Sequence, residues 1–328
     1  MKTDAVGSNN QTPLVSIITP VLNRADSIEG CLASVAKQSY RPIEHIVVDG
    51  GSSDGTVKLI EQHQPGDVAY QWISERDEGM YDAINKGIAL ARGEVVAYLN
   101  SDDLYFPWSV EVAVRGLRHS VDIIFGDLGV LQVRRGSRPP TFYLQFYPEF
   151  NLRYYSFVGS IAQPTAFWRR TISERIGGFD TSYGLIADCD FWLRAALDGA
   201  RMRHVDEVMA VQVEHPFTLR ATQPRRLDDE FHRLRTRMTK TMRPPSSPRR
   251  EALKKSVRWR FRQLEFFYAS KQRRPNKWPR FIEAIRTHGL DMRLRALRML
   301  APARWRGDAS LLGDVSRLDE LMRTGPSA

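Results

Sequence analysis

Between Leu14 and Asp127 the chain switches back and forth between two hydrophobic periods, and this alternation narrows its possible folds more than any other feature. Unbroken apolar runs read as buried strands: "LVSIITPV", "PIEHIVVDG", "DVAYQWIS", "EVVAYLN" and "VDIIFGD". Between them lie "SIEGCLASVAKQ", "SDGTVKLIEQH", "EGMYDAINKGIALAR" and "PWSVEVAVRGLRH", whose apolar residues recur at helical spacing. Ser27 is a plausible N-cap for the first helix, and Ser53 or Asp54 for the second. Gly93 is expected to end the third. A strand–helix alternation of this kind predicts an α/β fold, with a mostly parallel sheet and helices on both faces.

In such sheets ligands bind beyond the carboxyl ends of the strands. Polar groups converge there from separate strands: Pro20 and Asn23 after the first, Asp49, Gly50 and Gly51 after the second, Glu75, Arg76 and Asp77 after the third, Asp102 and Asp103 after the fourth. The last pair stands in "YLNSDDLYFP". Asn-Ser-Asp-Asp is good turn chemistry, because these side chains hydrogen-bond nearby backbone. Adjacent carboxylates at a strand end also suit a hard divalent cation shared with substrate phosphates. "VDGGSSDGT" is glycine-rich but matches neither the Walker loop nor G-x-G-x-x-G. Its Asp49 is placed either to accept hydrogen bonds from a base or ribose, or to shape a tight strand–helix turn.

From about residue 128 the pattern becomes strand-like and aromatic, with "GVLQV", "TFYLQF" and "AFWRR". A short helix and turn in "RRTISERIGGFD" and a helix in "DCDFWLRAALDGA" follow, the latter ended by Gly199. "RMRHVDEVMAVQVEH" closes this part as a strand or pair of strands.

These segments, in this order, carry a resemblance. "VSIITPVLN", "EHIVVDGGSSDGT", "DEGMYDAINKGIALARGEVVAYLNSDD", "GGFD" and "ADCDFWLR" resemble the family 2 glycosyltransferases of the GT-A fold, over about residues 13–215. The resemblance implies sugar transfer from a nucleotide diphosphate donor with inversion at the anomeric carbon, aided by Mn²⁺ or Mg²⁺. It puts Asp103 on the metal and Asp102, with Ser101, on the ribose or sugar. Pro20, Asn23 and Asp49 match nucleoside-binding positions. Arg76, Asp77, Asn85 and Lys86 match the segment along the nucleotide and diphosphate. Asp188 falls on the position of the general base, although Ala187 stands where the family often has Glu. Asp190 is the alternative base, or a residue that caps the helix or orients Asp188. His215 matches a late histidine that completes the metal shell. Gln163, Trp168 and Trp192 are candidates for an acceptor pocket or for core packing.

The chain divides chemically near residue 216. Its 328 residues carry a net charge of +10. Beyond His215 there are 28 Lys and Arg against 11 Asp and Glu, a net of +17, whereas residues 1–215 carry a net of −7. The expected organisation is a disordered N-terminus (1–12), a GT-A domain (13–215, with a nucleotide-sugar half at 13–127 and an acceptor half at 128–215), and a basic helical extension (216–328). Tracts such as "SVRWRFRQLEFFYASKQRR" mix Arg with Trp, Phe and Leu, and fit either an anionic membrane surface or a cap on the domain. No binding module for nucleic acid is visible, and none is expected as a partner.

No run approaches the roughly 18 apolar residues of a membrane span, and the N-terminus has no apolar stretch of signal-peptide type. Two cysteines form no disulfide framework and fit a reducing compartment. The expected place is the cytoplasm, with possible peripheral contact to the inner face of the cell membrane. Without a Q-x-x-R-W segment, single-sugar addition to a glycan or lipid-linked acceptor in cell-surface glycan synthesis is expected, from a UDP-sugar as the family's commonest donor. The rival readings are a non-catalytic nucleotide-sugar-binding module and a nucleic-acid-associated protein acting through the basic tail.

Overall fold

The computed structural model describes residues 12–118, 120–133, 141–145, 147, 149–150, 152 and 161–241. The expectations for residues 1–11 and for the basic tracts of 242–328 lie outside the described residues.

Nine strands form one sheet in the order β3-β2-β1-β4-β8-β6-β9-β5, with β7 paired to β6. Its first half is the expected one. β1 (Val15–Val21) pairs in parallel with β2 (Ile43–Asp49) and β4 (Val95–Tyr98), and β2 pairs in parallel with β3 (Ala69–Ser74). All residues of β1, β2 and β4 are buried, which is why these strands read as continuous rather than alternating apolar runs. Helix α1 (Ile28–Ala36) buries Ile28, Cys31, Leu32 and Val35, the i, i+3, i+4, i+7 face of an amphipathic helix. Helix α3 (Met80–Leu90) lies so close to β1 that a Cβ on Gly87 would stand 2.4 Å from Ile18 Cγ2. A Gly87→Ala change would overpack this contact, at a cost of about 1–3 kcal/mol.

Two helix boundaries differ from expectation for local reasons. Helix α2 (Thr56–Gln62) has Gly55 at its N-cap with φ +99°, and Asp54 instead accepts from Thr56 N at 3.0 Å, one residue further in. Helix α3 ends at Leu90 rather than at Gly93, because the amides of Arg92 and Gly93 are captured by Glu44 Oε1 at 2.6 and 3.1 Å. Glu44 is buried inside β2 and also accepts from Ser16 Oγ at 2.6 Å. Burial alone would raise its pKa, but the hydrogen bonds from Ser16 and Arg92 outweigh burial and hold it below the ordinary value.

The second half departs further. Two stretches expected as separate strands are one, β6 (Ile123–Gln132), with a register irregularity around Gly126 and Asp127. A Cβ at Gly126 would meet Glu207 O at 2.5 Å, so the glycine serves close strand approach. β8 (Phe167–Arg169) inserts antiparallel between β4 and β6. β5 (Leu104–Tyr105) and β7 (Thr141–Gln145) also run against the other six strands, so the sheet is mostly, not wholly, parallel. β9 (Met202–Glu214) runs parallel to β6, and antiparallel to β5 on its other side. α4 (Ser109–Gly116), α5 (Arg170–Ile176) and α6 (Ala187–Leu197) complete this half. Gly199, with φ +87°, closes the turn after α6.

Beyond Pro216 come the one-turn helix α7 (Leu219–Thr222) and α8 (Pro224–Thr241). Leu234 and Met238 of α8 join the core cluster that holds Tyr81, Trp168 and Phe191. Glu230 is buried and accepts from Gly184 N at 2.9 Å and Leu185 N at 2.8 Å. Among the described residues no helix is long and apolar enough to cross a membrane.

Candidate active site

A cleft of about 1220 Å³ is lined by residues following β1, β3 and β4, by the start of α6, and by the segment after β9. Of the residues singled out in the sequence, Pro20, Asp77, Ser101, Asp102, Asp103, Gln163, Asp188 and His215 line it. Asn23, Asp49, Arg76, Asn85, Lys86, Asp190, Trp168 and Trp192 do not.

Several of these residues hold the neighbouring loops in shape. Asp49 is fully buried; its Oδ2 accepts from Gly51 N at 3.0 Å, Ser52 N at 2.9 Å and Ser74 Oγ at 2.7 Å, and its Oδ1 from Ser52 Oγ. Asn23, with φ +52°, accepts from Ser53 N at 2.9 Å and so ties the loop after β1 to the loop after β2. Asn85 makes a reciprocal pair with the Phe179 backbone, at 2.9 and 2.8 Å. Lys86 reaches Glu75 at 2.8 Å, Asp82 at 3.4 Å and Arg76 O at 3.2 Å, bracing the loop that carries Asp77. Gly50 leaves room for that aspartate: a Cβ there would lie 2.4 Å from Asp77 Oδ2. Trp168 and Trp192 are core residues, packed edge to face with ring centroids 5.5 Å apart.

The two adjacent carboxylates both line the cleft but have different surroundings. Asp103 is 1% exposed, with Oδ1 accepting from Val213 N at 3.1 Å and Oδ2 from Asn100 Nδ2 at 3.2 Å. Burial, then the neighbouring Asp102 charge, pushes its pKa well above the ordinary value. It pins the end of β4 to β9. Asp102 is the freer group, and its Oδ2 lies 3.3 Å from His215 Nε2. Carboxylate plus imidazole is a fitting donor set for a divalent cation such as Mn²⁺, and the buried Asn100 Oδ1 beside it has no partner among the described residues. These atoms do not yet converge as a closed shell. Among the described residues, the one trio of acidic or histidine ligand atoms within 4.8 Å is Asp127, His204 and Asp206, at the β6–β9 irregularity, and none of the three lines the cleft.

Asp188 sits in the first turn of α6, where a carboxylate is favoured by the free amides and the helix dipole. Its Oδ1 accepts from Tyr81 Oη at 3.0 Å and its Oδ2 from Arg220 Nη2 at 3.2 Å. Asp190 has no such access. It is fully buried between Arg194 Nε at 2.6 Å and Arg237 Nη1 at 2.7 Å. Tyr81 and Arg220 were not anticipated as site residues. Tyr81 lies 107 residues from Asp188 in the chain, and Arg220 is one of many arginines in its stretch of sequence.

Comparison with known proteins places the chain in a family. The family described as glycosyl transferase family 2 matches residues 16–177. An uncharacterised glycosyltransferase of Mycobacterium tuberculosis is 36% identical over 191 residues, covering 56% of this chain and 70% of that one. A PGL/p-HBAD biosynthesis glycosyltransferase of Mycobacterium bovis is 31% identical over 187 residues, covering 56% of this chain and 69% of that one. The solved mannosyltransferase of Pyrobaculum calidifontis, in complex with GDP-Man and Mn²⁺, superimposes with a TM-score of 0.53 at 22% identity, over 97% of this chain and 82% of that chain. The S. aureus TarS fragment with UDP-GlcNAc gives 0.50 at 22% identity, over 61% of this chain and 58% of that chain. A mostly parallel sheet with its cleft beyond β1 and β4, and curated relatives that are glycosyltransferases over more than two thirds of their own length, make this chain a GT-A-fold member of glycosyltransferase family 2.

Proposed function

We propose that the protein transfers a single sugar, with inversion, from a nucleotide diphosphate donor, a UDP-sugar in the first instance, to a glycan or lipid-linked acceptor of the cell surface. The observation that carries this reading is one cleft shared by the Asp102–His215 pair and by the clamped carboxylate of Asp188. Asp102 and His215 would hold Mn²⁺ or Mg²⁺, as the Mn²⁺ complex of the mannosyltransferase neighbour encourages. When bound, the cation offsets the negative charge that develops on the departing nucleoside diphosphate. Asp188 takes the proton of the attacking acceptor hydroxyl as its oxygen bonds to the anomeric carbon. Pro20 and Asp77 line the part of the cleft where the nucleoside would lie.

An apolar edge supports the lipid-linked acceptor. Leu22 and Leu219 both line the cleft, and they are 50% and 45% exposed. The M. bovis relative is named for PGL/p-HBAD biosynthesis. The test is a thermal-shift panel of nucleoside diphosphates and their sugars, with and without Mn²⁺, followed by donor turnover. Stabilisation by one diphosphate that requires the cation, together with release of that diphosphate from its sugar, is the expected result. Stabilisation without turnover under any acceptor, water included, would favour a nucleotide-sugar-binding module instead.

A further inference from the structure

Asp188 is gripped from two distant parts of the chain. Tyr81, in the first turn of α3, holds Oδ1. Arg220 holds Oδ2 from α7, a helix of one turn whose start is capped by Thr218, its side chain accepting from Ala221 N at 3.3 Å. The carboxylate itself is 5% exposed, while the Arg220 side chain is 49% exposed and lines the cleft.

We propose that Arg220 is a positioning residue for Asp188: with Tyr81 on the other oxygen, it fixes the plane of the carboxylate that takes the acceptor's proton. This rests on the reading of Asp188 as the base. The step it serves is balanced. The acceptor O–H proton passes to Asp188, the acceptor oxygen bonds to the anomeric carbon, and the bond from that carbon to the phosphate oxygen breaks with its electron pair leaving on the nucleoside diphosphate.

The surroundings of Asp188 leave this task to Arg220. Tyr81 faces it from α3, Tyr98 from β4, Cys189 from its own helix and Arg220 from α7. Tyr81 and Tyr98 are kept neutral by burial, which raises both phenols well above their ordinary pKa. Arg220 is thus the cation of the group, and the Asp188 charge in turn raises the pKa of the guanidinium. The same segment begins with His215, which touches Asp102. Five residues therefore connect the candidate cation pair to the base.

The test uses full-length protein, Mn²⁺, and UDP-GlcNAc or GDP-mannose, whichever the wild type hydrolyses with water as acceptor. The rate is followed against pH for wild type, Arg220→Met, Arg220→Lys and Tyr81→Phe. Losing a hydrogen bond to a charged group should lower kcat of Arg220→Met about ten- to hundredfold near neutral pH. Its acid limb should move to higher pH, Arg220→Lys should restore that limb, and Tyr81→Phe should move it in the same direction by less. Binding of UDP or GDP, read by thermal shift, should stay within about threefold of wild type in all variants, on the reading that Arg220 acts through Asp188. An unmoved acid limb in a folded Arg220→Met protein overturns the proposal. So does diphosphate binding that weakens as much as the rate, which would make Arg220 a ligand of the donor. Failure of the base reading looks different: Asp188→Asn would then turn over donor at the wild-type rate, whatever Arg220 does.

Discussion

The loops after β1 and β2 and the segment from β9 to α7 both carry clusters of polar residues at the cleft side of the sheet, and they use them in opposite ways. In the first region Asn23, Asp49, Ser52 and Asp54 bond to one another and to nearby backbone, and the loops are self-contained. In the second, His215 and Arg220 reach across more than 30 residues or more than 100, to carboxylates on other elements. The difference separates residues that make a site's shape from residues that make its chemistry. Both kinds recur in a family's motifs, because a loop that cannot hold its form cannot present a ligand. The same contrast runs through single motifs: in "SDD" Asp103 is bonded to Val213 N while Asp102 faces His215, and in "ADCD" Asp190 lies between two arginines while Asp188 lines the cleft.

The comparison breaks most visibly at "ADCD". Asp188→Asn keeps the shape of the side chain and removes its basicity, so turnover should fall about 10²–10⁴-fold with nucleoside diphosphate binding nearly unchanged. Asp190→Ala should do the reverse. It removes the carboxylate partner of Arg194, which is 16% exposed and keeps its bonds to the carbonyls of Ile176 and Gly178, and one partner of Arg237, for a loss of order 3 kcal/mol in unfolding free energy. Chemical denaturation and donor turnover of the two variants decide the matter. A stable, inactive Asp190→Ala protein would return that residue to the chemistry.

At "SDD" the expected contrast is smaller but has two readouts. Asp102→Ala should abolish the Mn²⁺-dependent part of diphosphate binding and leave the melting temperature close to wild type. Asp103→Ala should lower stability by about 1–3 kcal/mol, since it leaves Val213 N without its acceptor. If Asp103→Ala alone loses the cation dependence, the roles revert to those the motif implies.

Much of the fold was legible because its signals are periodic. The buried strands β1, β2 and β4 and the helices α1 and α3 announce themselves over many residues, and the register of a buried parallel sheet follows from them. β5 was missed because two residues have no period, and β6 was split after Asp127, beside the register irregularity in its pairing with β9. The site was legible as a location, through polar strand ends, and as a short set of carboxylates. Which carboxylate is free was not, because that depends on partners such as Arg237, Val213 and Tyr81 that lie far away in sequence. Arg220 had no local mark at all. An arginine becomes a site residue only through the one-turn helix that points it at Asp188.

The smallest expected effect lies in the self-contained half, beneath the loops. His45 of β2 is buried, with its Nε2 2.9 Å from Thr19 Oγ1, and burial followed by the nearby His63 lowers its pKa from 6.5 to about 3. Above pH 6.5 the ring is neutral in both folded and unfolded chains and contributes no pH dependence. Between about 6.5 and 3 the unfolded chain binds a proton that the folded one refuses, so stability falls as pH falls. One such proton contributes at most about 1.4 kcal/mol per pH unit. His63 is shifted the same way by burial and adds to the same slope. Glu44, with its pKa lowered, also loses stabilisation on acidification and has to be subtracted. A His45→Gln variant does this, because it leaves Glu44 and His63 in place: between pH 6.5 and 4.5 its stability should fall less steeply than that of wild type. Parallel curves for the two proteins would mean that His45 accepts its proton in the folded state. β2 would then be open to water, and the loops after β1 and β2 would rest on a less rigid base than the hydrogen bonds around Asp49 imply.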